Sequence, residues 1–326
     1  MAGKKRSSPR EQLYCAVTDL LKTKNLPCEE GDLAVIPRRW ETFEDFILFP
    51  ADSFRTPKWD SVAERLWPVV AKVFHVSRIA RQGRIQANDF RSPRLELFLT
   101  TDTWVRKREN GIIYELDLEK SMFSSGNGTE KARMMALDCA GETVVDLFAG
   151  IGYFTIPILK ADASKVFACE WNPDAVRALR RNIALNCVEG RCEIRFGDNR
   201  EVAPVGVADR VILGLIPSSE ISWATACRCL KPDTGGVLHV HANVDVPKTV
   251  FPPSEVDTTV PADKASCKKQ QFNAFGERIK TSLIKECNQV FSVSRWKGDL
   301  RHVECVKSYG PNIFHCVFDI ELRPSF

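Results

Sequence analysis

The feature that most constrains this chain is a strict alternation of short apolar runs with helical stretches that begins near residue 129. Thr143–Phe148, Lys165–Cys169, Cys192–Phe196, Arg210–Leu215 and Gly236–Ala242 read as buried strands. Helical segments lie between them, from about Tyr153, from Pro173 to about Asn186 behind the cap Asn172, and over Glu220–Leu230. A strand–helix–strand rhythm of this kind predicts a parallel, doubly wound sheet. The chain then closes differently. After a helix near Ala274–Cys287 come Arg301–Lys307, the turn Tyr309–Asn312 and Phe314–Leu322, which predict an antiparallel strand pair at the sheet's end.

The N-terminal third has another character. Residues 1–11 read as a disordered basic tail, and Leu13, Val17, Leu20 and Leu21 recur at helical spacing. Ser61-Val-Ala-Glu64 has the form of a capping box opening a helix that reaches Phe74, interrupted by Pro68. Arg94–Thr100 alternates as a strand. Trp104–Glu109 and Ile112–Leu118 flank Asn110-Gly111, the pair that supplies both positive-φ positions of a type I′ hairpin turn. The expected organisation is a tail at 1–11, a smaller α+β domain at 12–118 that is a candidate for RNA contact, and a ligand-binding domain at 119–326 with a long loop at 247–270.

Composition excludes some classes. No run approaches the ~20 apolar residues that span a bilayer, so no membrane partner is expected. The start, Met-Ala-Gly-Lys-Lys-Arg, lacks the apolar segment of a secretory signal, and Ala2 stands where myristoylation needs glycine. The 12 cysteines include no C-x₂-C pair, which disfavours a metal ribbon and fits a reducing compartment, cytoplasmic with the nucleus as the alternative. A net charge of +4 permits a nucleic-acid partner without demanding one.

The chemistry concentrates at strand ends. Asp146-Leu-Phe-Ala-Gly150-Ile-Gly152-Tyr-Phe ends a buried strand in an acid and puts two glycines in the turn before a helix. Thr155 occupies the third glycine position of the dinucleotide fingerprint, which argues against a diphosphate ligand. Glu170 ends the second strand and can accept hydrogen bonds from both ribose hydroxyls; Asp198 ends the third and suits an adenine amino group. An acidic crevice of this kind suits a sulfonium better than a diphosphate. With the terminal strand pair, the pattern resembles the Rossmann-like sheet of class I methyltransferases, and S-adenosylmethionine is the expected co-substrate, with no metal.

Absent features narrow the reaction. Methyltransferases acting on exocyclic amines often carry Asn/Asp-Pro-Pro-aromatic after the fourth strand; here Leu213-Gly-Leu-Ile-Pro217-Ser-Ser219 offers no Asn or Asp. The strand–helix region has no Pro-Cys nucleophile for covalent attack on pyrimidines, the single Pro27-Cys28 pair lying near the N-terminus. His239 and His241 share a strand face, but without an evident third ligand they read as a packed, hydrogen-bonded pair rather than a metal site. Arg78, Arg81, Arg84, Arg91, Arg94, Arg106, Lys107 and Arg108, with Trp104, could grip phosphates and stack a base, or be ordinary solvated charge.

Met122-Phe-Ser124-Ser-Gly-Asn127-Gly-Thr-Glu130-Lys131, Asp146–Pro157, Cys169-Glu170-Trp-Asn-Pro173, Phe196-Gly-Asp198-Asn199-Arg200 and Leu213–Ser219 resemble the tRNA wybutosine-synthesising protein 2 family. The resemblance runs from about Glu11 to the C-terminus. It implies transfer of the 3-amino-3-carboxypropyl group of S-adenosylmethionine to the tricyclic base 4-demethylwyosine beside the anticodon of phenylalanine tRNA, with methylthioadenosine as by-product. It also implies that Ser124, Lys131, Glu170, Asp198 and Asn199 contact the co-substrate, with Lys131 facing the methionine carboxylate, alongside Asp146, Gly150 and Gly152 of the glycine motif. Two alternatives stand beside it. One is a tRNA guanine-N1 methyltransferase, against which Leu213–Ser219 speaks. The other is a non-catalytic cofactor- or RNA-binding protein, against which the intact trio of strand-end acids speaks.

Overall fold

The computed structural model describes residues 7–83, 94–121, 123–246, 264–292 and 295–325. The chain divides into two compact units, Met1–Lys107 with Glu115–Phe123, and Arg108–Tyr114 with Ser124–Phe326.

In the first unit, α1 (Pro9–Thr23) starts earlier than its apolar periodicity announces. Ser8 and Glu11 form a capping box: the Glu11 amide donates to Ser8 Oγ at 3.2 Å and the Ser8 amide to the Glu11 carboxylate at 2.6 Å. Residues 9–11 are thus the first helical turn, a correction to the expected tail; residues 1–6 lie outside the described residues. Helix α2 (Glu30–Ala34) follows, then strands β1 (Glu41–Phe43) and β2 (Phe46–Phe49), helices α3 (Pro57–Ser61) and α4 (Ala63–Phe74), and strands β3 (Arg78–Gln82) and β4 (Leu95–Leu97). The four strands form one sheet in the order β1-β2-β3-β4. Its core joins Leu13, Val17 and Leu21 of α1 to Phe49, Phe54, Trp59 and Trp67. Ser61 does not cap α4. Its hydroxyl donates to the Lys58 carbonyl at 2.7 Å and closes the short α3, and α4 then runs through Pro68 from an uncapped start at Val62. The hairpin β5 (Trp104–Glu109) and β6 (Ile112–Asp117) turns at Asn110 and Gly111, with φ of 51° and 76°. Its tip belongs to the second unit.

The second unit contains α5 (Gly128–Met135), β7 (Thr143–Asp146), α6 (Thr155–Lys160), β8 (Lys165–Glu170), α7 (Pro173–Leu185), β9 (Cys192–Phe196), α8 (Asn199–Val202), β10 (Arg210–Leu213), α9 (Trp223–Cys229), β11 (Gly236–Asp245), α10 (Lys264–Val290), β12 (Arg295–Ser308) and β13 (Ile313–Ser325). Seven strands form one sheet in the order β12-β13-β11-β10-β7-β8-β9. The five central and right-hand strands are parallel, and β13 is antiparallel to both β11 and β12. Strand order reverses between β7 and β10, so a crevice opens at their carboxyl ends.

Helix α10 is longer than its apolar pattern suggests. Residues 264–270, expected as loop, are helical, and 247–263 lie outside the described residues. The first turns are rich in Lys, Ala and Gln, good helix formers without an apolar stripe. Gly276 stands inside this continuous helix for a packing reason: a Cβ there would lie 2.8 Å from Leu300 and Phe318 on the strands beneath. The other side of the sheet holds a charged network. Arg133 pairs with Glu130 at 2.8 Å and with Asp319 at 2.7 Å, and Asp319 also holds His239 Nδ1 at 2.7 Å. Burial alone would raise the Asp319 carboxyl, but His239 and Arg133 hold it well below the usual carboxylate range.

Candidate active site

The crevice is a cavity of about 350 Å³, and Glu170, Trp171, Asp198, Asn199, Leu215 and Ile221 are among the residues that line it. That volume falls in the range of ~300–1,000 Å³ typical of small-molecule sites. Glu170 ends β8. One carboxylate oxygen accepts the Gly150 amide at 2.8 Å, the other the Asn172 amide at 2.7 Å. Each oxygen keeps a lone pair for a ligand hydroxyl. Burial raises this carboxyl above the ordinary glutamate value, against the lowering effect of those backbone N–H groups. Asp198 caps α8, accepting the Arg200 amide at 2.9 Å, and bonds to the Arg200 guanidinium hold its carboxyl low. Asn199 is a brace. Its Nδ2 donates to the Leu147 carbonyl at 3.0 Å, and its Oδ1 accepts the Ser222 hydroxyl at 2.9 Å. It thus ties the loop after β7 to the turn before α9.

The structure therefore brings Glu170, Asp198 and Asn199 into one cavity wall. It leaves Asp146, Gly150 and Gly152 beneath it. Asp146 is fully buried; its carboxylate accepts the Thr155 hydroxyl at 2.7 Å and the Phe148 amide at 3.2 Å, and burial pushes its pKa up to about 6. It holds the glycine loop in shape from inside. Gly152, at φ 100°, passes so close to Ile156 and Leu179 that a Cβ would lie within 2.9–3.0 Å of their methyl groups. Asn182 fastens the same loop through the Ile151 carbonyl at 2.9 Å.

Ser124 and Lys131 reach the loop through Tyr153. The Ser124 amide donates to the Tyr153 hydroxyl at 3.3 Å, and Lys131 Nζ lies 4.9 Å from the Tyr153 ring centroid. Lys131 is buried. Its ammonium binds Glu109 at 2.5 Å and the Ser124 carbonyl at 3.0 Å, and burial lowers its pKa against the pull of Glu109. Glu109, Tyr114 and Tyr153 are site neighbours that the sequence did not reveal. Trp171, 57% exposed, and Ile221, 67% exposed, were missed as well; a large apolar residue directly after a strand-end acid is the signal that could have found Trp171.

Other expected residues fall elsewhere. His239 and His241 do not bond to each other; the first holds Asp319 and the second His315. Among the described residues no group of three or more His, Cys, Asp or Glu is arranged to hold a metal ion. In the smaller unit Arg78 pairs with Asp45, Arg81 with Glu96 and Arg106 with Glu115, so these guanidiniums already have carboxylate partners. Arg84 and Arg91 lie outside the described residues.

A parallel sheet with an antiparallel end pair, a two-glycine loop after its central strand and acids lining the switch-point crevice together define the class I S-adenosylmethionine-dependent methyltransferase fold. Comparison with known proteins narrows this. The TRM5/TYW2 methyltransferase domain matches residues 105–269 and the TYW2 N-terminal domain residues 17–103. The chain is 43% identical over 327 residues to the tRNA wybutosine-synthesizing protein 2 homolog of Danio rerio, covering 98% of this chain and 80% of that one. It is 44% identical over 323 residues to tRNA wybutosine-synthesizing protein 2/3/4 of Arabidopsis thaliana, covering 99% of this chain but only 30% of that longer protein. The crystal structure of Pyrococcus horikoshii TYW2 in complex with MeSAdo superposes with a TM-score of 0.66 at 28% identity, over 96% of this chain and all of that one. The chain belongs to the TRM5/TYW2 family, with tRNA wybutosine-synthesizing protein 2 as its nearly full-length relative.

Proposed function

We propose that this protein transfers the 3-amino-3-carboxypropyl group of S-adenosylmethionine to 4-demethylwyosine beside the anticodon of phenylalanine tRNA, in wybutosine biosynthesis, and releases methylthioadenosine. The observation that carries this is the relationship to tRNA wybutosine-synthesizing protein 2 along almost the whole chain, in both the N-terminal and the catalytic parts.

The crevice fits the co-substrate. Glu170 has lone pairs left for ribose hydroxyls, Asp198 is an acceptor for an adenine amine, and Trp171 offers an indole face beside them. Thr155, where a diphosphate site has glycine, is spent on Asp146. When bound, S-adenosylmethionine supplies three electrophilic carbons on one sulfonium, and orientation decides which one reacts. The residues of this chain set that orientation. Asn199 fixes the cavity wall, Asp146, Gly150 and Gly152 fix the glycine loop, and Ser124 reaches that loop through Tyr153. Lys131 meets the methionine carboxylate by exchanging one carboxylate, Glu109, for another. Gly214 and Leu215 form the wall where amine methyltransferases place an Asn or Asp, so nothing there grips an amine. The 12 free thiols suit a reducing compartment, which we take to be the cytoplasm.

The test is a label-transfer assay with phenylalanine tRNA carrying the tricyclic precursor and S-adenosylmethionine labelled in the methyl or in the carboxyl carbon. Carboxyl label should enter the RNA. Methyl label alone would make the protein a methyltransferase, and binding without transfer of either label would make it a non-catalytic binder.

A further inference from the structure

The turn between β12 and β13 carries an exposed aromatic ring that the site described so far does not use. The turn lies at the crevice end of the sheet, because Ile313, where β13 begins, pairs with Asp245, where β11 ends. Strand β10 stops at Leu213, level with Val240, whereas β11 continues from Val240 to Asp245, about 16 Å further at 3.3 Å per residue. Strands β11 and β13 therefore stand as a wall beyond the crevice residues Gly214 and Leu215. The loop after β10 is fastened to that wall: the Asn243 amide donates to the Pro217 carbonyl at 2.9 Å.

Tyr309 is held on this wall. Its amide donates to the Ile313 carbonyl at 2.9 Å, and Pro311 fixes one φ within the turn. Its ring stacks on that of buried His315, with centroids 6.3 Å and planes 17° apart. His315 lies opposite Asn243 in one ladder and opposite Lys307 in the other. Lys307 Nζ is 5.0 Å from the Tyr309 centroid. As opposite residues, His315 and Lys307 approach the ring from the same side of the sheet. Tyr309 thus rests on its own fold and still remains 52% exposed. A ring fixed before a ligand arrives loses little freedom when a flat group settles on it.

Cations flank the ring. Lys307 crosses toward the turn before α5, where a Cβ on Gly126 would lie 2.7 Å from its ammonium, and its charge adds to the lowering of the Lys131 pKa. Lys268 of α10 is 5.0 Å from the ring centroid of Phe314, the neighbour of His315 on the other face of the sheet. Neither lysine has a carboxylate partner among the described residues, whereas Arg78, Arg81 and Arg106 do. Asp245, exposed at the end of β11, is an acid at this rim, and the two lysines outnumber it. An open ring between unpaired cations suits single-stranded nucleic acid: the ring takes a base and the cations take phosphates. Bases inside a duplex present no open face, so the partner is an unpaired nucleotide.

We propose that Tyr309 is the stacking platform for an unpaired base that flanks the acceptor nucleotide in the anticodon loop, with Lys307 and Lys268 on the adjoining phosphates. The inference rests on the tRNA substrate proposed above and names where that RNA is held. The spacing is suitable. Strand β13 lies two strands from β10, about 10 Å at ~4.8 Å per strand, so a base on Tyr309 and an acceptor base over the Leu213–Ser219 loop are within reach of neighbouring nucleotides of one loop. Tyr309 then grips the RNA without touching the transferred group, and the wall that carries it is tied through Asn243 to the loop over which the acceptor lies.

The test is binding of full-length phenylalanine tRNA in which one unpaired base beside the acceptor is replaced by the fluorescent base 2-aminopurine, using the full chain and its variants Tyr309→Ala, Tyr309→Phe and Lys307→Gln. The unaltered protein should quench the probe at one flanking position; quenching at neither would place the ring away from the RNA and overturn the proposal. Tyr309→Ala should lose the quenching and weaken the Kd for tRNA about 5- to 100-fold, the range of one base–aromatic stack. Tyr309→Phe keeps the ring and should keep both. Lys307→Gln should flatten the slope of log Kd against log salt by about 0.7. Both Tyr309 variants should bind S-adenosylhomocysteine like the unaltered protein, which shows that the catalytic unit is intact. A Tyr309→Ala protein with lowered Tm but unchanged tRNA affinity would mean that the ring only covers His315. Equal losses in the alanine and phenylalanine variants would assign the effect to the hydroxyl and overturn stacking as well. Because the readout is binding, it is separate from the reaction: methyl rather than carboxyl label entering the RNA would overturn the transfer and leave the platform standing, whereas no binding of this tRNA by the unaltered protein would remove substrate and platform together.

Discussion

Replacing Glu170 by alanine should abolish most of the affinity for S-adenosylmethionine while leaving the fold in place. The carboxylate already accepts two backbone amides, from Gly150 and Asn172, and in the proposed binding mode its remaining lone pairs accept two ribose hydroxyls. A hydrogen bond to a charged group contributes about 1.5–3 kcal/mol. Two lost ribose bonds therefore cost about 3–6 kcal/mol, or roughly 10²–10⁴ in Kd at about 1.4 kcal/mol per decade. Gly150 and Asn172 are only half-buried, so their freed amides can turn to water and the fold should lose only about 1–2 kcal/mol. Calorimetry with S-adenosylhomocysteine and its 2′-deoxy counterpart separates the ribose contact from a general loosening of the loop. The unaltered protein should discriminate between the two ligands, and Glu170→Ala should not. Equal discrimination by both proteins would refute the ribose assignment. The pH dependence has a definite sign: with its pKa raised by burial, Glu170 loses the ionised form at a higher pH than the ordinary ~4.3. Affinity should fall as pH drops through that raised value, and Glu170→Ala should lack the fall.

Two further outcomes follow from neighbouring residues. Asp146 has its carboxyl raised from 3.8 to about 6 in the folded state. Its favourable contribution is complete below the unfolded value and is lost as pH rises through 6, an overall penalty of about 3 kcal/mol, of which about 2 kcal/mol develops between roughly pH 4.5 and 7.5. Asp146→Asn keeps an acceptor for the Phe148 amide and a donor for the Thr155 hydroxyl, so denaturant titrations across that window should show the slope flattened; an unchanged slope would place the titration elsewhere. Trp171→Ala should weaken co-substrate binding by the ~1–3 kcal/mol of a base–aromatic stack without shifting Tm, because the indole is mostly exposed; unchanged affinity would mean that the ring does not contact adenine.

The parts of the fold legible in the sequence are those set by local chemistry. Asn110-Gly111 announces its turn because few pairs tolerate two positive φ values, and the five parallel strands show as apolar runs because both faces are covered. The failures share a cause as well. Ser61 has the spacing of a cap, but its hydroxyl is drawn back to Lys58 by the helix that precedes it. The first turns of α10 show no apolar stripe. The partners of the arginines left open between phosphate contact and solvated charge, such as Glu96 for Arg81, are chosen by pairing between strands. In each case a contact made in three dimensions decides what a one-dimensional pattern left open.

The three strand-end acids show how register separates residues that the sequence makes equivalent. Asp146 lies opposite Ala168 in the ladder between β7 and β8, so it is enclosed by neighbouring strands. Glu170 is two residues further along β8, about 7 Å beyond the last paired level of β7 at 3.3 Å per residue. It lies opposite Phe196 of β9, and Asp198 follows two residues after that. The acids thus form a staircase that climbs out of the sheet from the central strand toward its edge. The lowest step is buried and takes the inward role of bracing the glycine loop, while the upper two reach the cavity wall. A strand-end acid reaches the cavity only where its strand outruns its neighbour. By that criterion a carboxylate lengthened at the lowest step, as in Asp146→Glu, should disrupt the loop without gaining a contact to the co-substrate.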